Sequence, residues 1–105
     1  SRSPSAAVIA LAMQHRRRAV RQLAFTSLAH FDTADLDESS RTLVDDAFRE
    51  AFDIERDLQL RIQLIQQTSR FVVGNEALTL LLRAIEQGKP NEATEASRQL
   101  AFITP

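Results

Sequence analysis

Only two glycines and three prolines interrupt 105 residues, and between them the apolar residues recur with a period near 3.6. No stretch alternates with period two between turn signals, so the chain reads as all-α. The first predicted helix runs from about Ser5 to Phe31 on a stripe of Ile9, Met13, Arg16, Val20, Leu23, Ser27 and Phe31. Arg16 stands inside that stripe. Either its aliphatic stem lies over the core or the helix surface is interrupted there. The turn chemistry of Asp32-Thr-Ala-Asp-Leu-Asp then leads into a second helix from near Asp37. No breaker follows before Gly74, so this helix extends to Val73, ~37 residues and about 55 Å. Such a length predicts a bend near Gln66–Ser69, or a projection that pairs with another chain. A third helix covers about Glu76–Gln87 and ends at Gly88; a fourth, capped by Asn91, covers about Glu92–Ile103.

The expected architecture is a four-helix bundle-like domain, with two long antiparallel helices and a short C-terminal helical hairpin. Residues 6–105 form one domain on this reading. Residues 1–5 read as the linker remnant of a segment cut from a longer chain. With 44% apolar residues the chain can form a core, and with no cysteine it has no disulfide scaffold, thiolate zinc site or cysteine nucleophile. The apolar run Ala6–Met13 is too short for the ~20 residues of a membrane span. Arginine far exceeds lysine, which fits a GC-rich, bacterial source, and the expected location is cytoplasmic.

Charge is segregated. Residues 1–31 hold five Arg and no acid, whereas residues 32–57 hold ten acids and three Arg. Such asymmetry marks either a nucleic-acid or membrane face or a basic helix neutralised by an acidic neighbour. The cluster Arg16, Arg17, Arg18 and Arg21 is the candidate for charge steering or for phosphate contacts along a nucleic acid. Four consecutive positions from His15 sweep most of a helix circumference, and no Tyr or Trp is present to stack bases.

His15 followed three positions on by Arg18, in a helical chain of this length, resembles the histidine-containing phosphotransfer domains. That resemblance implies a four-helix bundle whose surface His15 accepts phosphate while Arg18 steadies it. The family has Lys then Gly where this chain has Arg18 and Ala19, and the match covers five residues. Ala84-Ile85-Glu86-Gln87-Gly88, with Ala93, Ala96 and Leu100, resembles a helix corner of a tetratricopeptide repeat, but no second copy occurs. His30 with Asp32, Asp35 and Asp37 supplies no metal-ligand set of fixed geometry. No nucleophile elbow or phosphate loop is present. The reading is therefore non-enzymatic, without cofactor or metal.

The third helix is the anomaly. Ala77, Leu78, Leu80, Leu81, Leu82, Ala84 and Ile85 leave it little polar surface, and Phe71-Val72-Val73 just precede it. A helix apolar on all sides must be central or must face another chain. The expectation is a helical protein–protein interaction or regulatory domain that associates through its second and third helices. Val72, Leu80 and Leu82 are the contact residues, and the partner is another protein or a second copy in a homodimer. Nucleic-acid binding through the Arg cluster, and phosphotransfer through His15, are the alternatives.

Overall fold

The computed structural model describes residues 5–103, which are helical throughout apart from their turns. Six α-helices follow one another: α1 (Ala6–Ala12), α2 (Arg18–Ala29), α3 (Glu38–Ile54), α4 (Leu58–Phe71), α5 (Asn75–Gln87) and α6 (Pro90–Ile103). A 3-10 turn, Thr33–Asp35, joins α2 to α3. The all-helical expectation holds, but each expected long helix is divided in two. Of the expected linker, only Ser5 is among the described residues; its hydroxyl accepts from the Val8 amide and caps α1.

The first division falls where Arg16 would have entered the core. Met13 is buried at the end of α1, and a continued helix would carry Arg16 inward one turn later. Instead the chain leaves the helix, and Arg21 donates from Nη1 to the freed carbonyls of His15 and Arg16 at 3.0 and 2.9 Å.

The second division is at Glu55-Arg56-Asp57, not near Gln66–Ser69, where α4 runs unbroken. No glycine or proline causes it. The Glu55 carboxylate accepts from the amides of Arg56 and Asp57, each at 3.1 Å, while Asp57 caps α4 by accepting from the Leu60 amide. Arg61 donates to the carbonyls of Phe52 and Glu55, both at 2.9 Å, satisfying the end of α3. Side chains thus outcompete the helix for its own backbone groups.

The same device recurs. Arg70 donates to the carbonyls of Leu28, Ala29 and Phe31 at the end of α2, and Arg41 to those of Thr33 and Leu36. At the last corner α6 begins at Pro90, a residue whose fixed φ suits a first helical position, and Glu92 reaches back to the Lys89 amide. Asn91 therefore lies within the first turn and not at the cap.

The central element is α4, not the leucine-dense α5. It packs against α2, α3, α5 and α6, with Leu60, Leu64, Ile65, Thr68 and Phe71 buried. Thr68 removes its polar cost by donating to the Leu64 carbonyl at 2.8 Å. Phe71 stacks on Phe48 of α3 with ring centroids 5.5 Å apart, and α1 lies across α2 and α3 to close the core.

Candidate functional site

The basic and acidic segments meet and neutralise each other at the α3–α4 corner. Arg18 Nε lies 2.7 Å from Asp57, while its Nη1 and Nη2 donate to Gln22 and Gln59. That contact raises the Arg18 pKa; the same hydrogen bond, helped by the Leu60 amide, holds the Asp57 carboxyl below its usual range. Arg21 grips the buried Glu55 carboxylate with Nε and Nη2 at 2.8 and 3.2 Å. Two of the four arginines proposed for steering are thus structural. Arg16 and Arg17 remain exposed, with no side-chain bond to another described residue.

His15 and Arg18 do not share a helix face. His15 sits in the break between α1 and α2, its Nδ1 accepting from the Arg17 amide at 3.0 Å, while Arg18 opens α2 and turns to Asp57. Among the described residues no group of three or more His, Cys, Asp or Glu is placed to hold a metal ion, and no helix is long and apolar enough to cross a membrane.

The three expected contact residues separate by burial. Val72 is 3% exposed and Leu80 7%, both packed within the single chain, whereas Leu82 is 41% exposed. The face of α5 bearing Ala77, Leu80, Leu81 and Ala84 is consumed by its own core. A side chain already desolvated inside the fold has little further apolar surface to bury, so Leu82 offers more contact area than Val72 or Leu80. What survives is one flank of α5, where Leu78 and Leu82 stand one turn apart. Leu78, Val72, Ala77 and Ile103 of α6 line a groove of about 330 Å³. Phe102, just before Ile103, is 77% exposed; Val73, 75% exposed, lines a separate concavity with Leu36, Val44 and Phe71.

A second concavity, about 480 Å³, lies between the α3–α4 and α5–α6 corners. It is lined by Asp53 and Arg56 from the α3–α4 side of the chain, by Arg83 and Lys89 from the α5–α6 side, and by Phe52, Arg61 and Glu92. Arg83 pairs with Asp53 at 2.9 Å and Arg61 with Glu92. Burial pushes the Glu92 carboxyl up, but the Arg61 guanidinium, the Lys89 amide and the Lys89 charge together bring it below its ordinary value. Sequence reasoning missed this site because its residues lie on four helices and two corners. The one available signal was Arg56, a lone cation among four close acids, Asp53, Glu55 and Asp57 with Glu50 beyond. No family model, no curated protein and no solved structure matches the chain.

Proposed function

We propose that the chain is a non-catalytic helical interaction domain that associates with a second copy of itself through the exposed flank of α5 and the end of α6. The observation that carries this reading is the grouping of exposed and half-buried apolar side chains on α5 and the end of α6: Leu78 and Ile103 line the groove, Leu82 stands one turn along α5 from Leu78, and Phe102 adjoins Ile103 in the chain. Apolar side chains grouped on adjoining helices mark contact surfaces more strongly than the same groups scattered singly. A flank on a helix pair suits two-fold pairing, since the same patch serves both partners. Two α5–α6 pairs laid together would make an intermolecular four-helix arrangement, the bundle that the sequence suggested within one chain.

Sedimentation equilibrium over a concentration series tests it. The parent chain should sediment as a monomer–dimer mixture, and Leu82→Glu with Ile103→Glu should sediment as a monomer with unchanged helicity and Tm. A parent chain that stays monomeric at its highest soluble concentration overturns the reading. So does a dimer indifferent to both substitutions.

A further inference from the structure

The groove between the two corners has a charge imbalance that the fold does not need. Three carboxylates line it, Asp53, Glu55 and Glu92, and each is already held by its own arginine: Arg83, Arg21 and Arg61. Arg56 and Lys89 are left over. Neither side chain makes a hydrogen bond or ion pair with another described residue, although the Lys89 charge acts on Glu92 at longer range. Both line the groove, one from the α3–α4 corner and one from the α5–α6 corner.

The floor between them is fixed. Phe52 is buried, and the guanidinium carbons of Arg61 and Arg83 each sit 5.8 Å from its ring centroid, within cation–π range, the Arg61 guanidinium also held by the buried Glu92. The first turn of α6 adds the positive end of a helix dipole at the same corner. A volume of about 480 Å³ falls within the range of small-molecule sites, roughly 300–1,000 Å³.

We infer that this groove binds a small dianionic molecule, with carboxylate or phosphate groups accepting from Arg56 and Lys89. Arg56 supplies a planar fork of donors and Lys89 a mobile point charge, a pairing that suits an oxyanion. A polynucleotide is the poorer fit, because Arg18 and Arg21, which would extend the basic track, are bound to Asp57 and Glu55. The inference goes beyond self-association and does not depend on it, since the groove is lined by different residues from the α5–α6 flank.

Calorimetric titration and thermal shift with citrate and with inorganic phosphate, at matched ionic strength, test it on the full chain. At least one probe should raise Tm and give a saturable heat. Arg56→Gln and Lys89→Gln should each weaken binding about tenfold, the loss of one charge-assisted hydrogen bond. Arg17→Gln, which removes an exposed cation elsewhere, should leave it unchanged. Citrate alone binding assigns a polycarboxylate, phosphate alone a phosphorylated compound, and both a shared oxyanion site. Absence of binding by either probe, or binding equally strong in Arg56→Gln and Lys89→Gln, overturns the proposal. So does a short oligonucleotide that binds through these two residues when neither small anion does.

Discussion

At the residue scale, arginine is the organising side chain of this fold. Arg21 directs all of its observed bonds to buried or helix-terminal acceptors: two to Glu55 and two to the carbonyls of His15 and Arg16. Removing it leaves the Glu55 carboxylate desolvated with only two backbone amides. Arg21→Met should therefore destabilise the chain by about 3 kcal/mol in urea denaturation, against about 0.5 kcal/mol or less for Arg17→Met. Equal effects would mean that the Arg21–Glu55 contact is ornamental. Glu92 offers a second, pH-dependent reading. Its carboxyl is held below the ordinary value of 4.5 in the folded chain, so between the two values the unfolded chain binds the extra proton. The stability it contributes is complete above about pH 5 and declines as pH falls through the folded value. A Tm series from pH 6 downwards should accordingly fall less steeply in Glu92→Gln than in the parent; parallel curves would remove Glu92 from the acid response.

At the element scale, the two glycines flank α5, Gly74 before it and Gly88 after it, for opposite reasons. Gly74 has φ of 67°, a backbone region that L side chains rarely adopt, yet a Cβ there would meet nothing within 4 Å. Gly88 has an ordinary φ, but its Cβ would lie 2.4 Å from the Ala84 carbonyl oxygen and 2.9 Å from Glu92 Cβ. Either alanine should destabilise by about 1–3 kcal/mol, through backbone strain at 74 and through collision at 88. D-alanine introduced by chemical ligation at 74 tests the first cause: its mirrored backbone preference suits a φ of 67°, so it should restore stability there. If D-alanine behaves like L-alanine at 74, conformation is not what that glycine supplies. These two corners were legible in the sequence because glycine acts through its own backbone. The divisions at Met13–Arg17 and Glu55–Asp57 were less so. The first left a trace, Arg16 in an apolar stripe; the second was harder to read, because the Glu55 carboxylate is completed by Arg21 from a remote part of the chain, with Arg61 of the next helix closing the end of α3.

At the scale of the whole molecule, the same limit explains why the central helix was not singled out by composition. Leucine density draws attention to α5, while α4 carries Gln59, Gln63, Gln66 and Gln67 among its apolar residues. Three of those glutamines find charged partners, while the Gln63 Oε1 is buried without one: Gln59 accepts from Arg18, Gln66 donates to Glu95, and Gln67 accepts from Arg70. A helix surrounded by other helices can remain polar if its polar groups find partners at the seams, and α5 can be apolar because one face is buried and one flank exposed. Packed against four neighbours, α4 should open only when the whole domain unfolds. Native-state hydrogen exchange should then give the amides of Leu64, Ile65 and Thr68 the full unfolding free energy, while α1 and the last turn of α6 exchange by local fraying. Leu64→Ala, at a buried site, should lower α4 protection by about 3 kcal/mol, the same amount that denaturation reports. Leu82→Ala should lower it by less than about 1 kcal/mol, because the flank it occupies remains in water in the monomer. If α4 instead exchanges through a lower-energy opening that Leu64→Ala does not affect, the six helices form two cooperative units joined at the Phe48–Phe71 stack, and α4 is not the element on which they all depend.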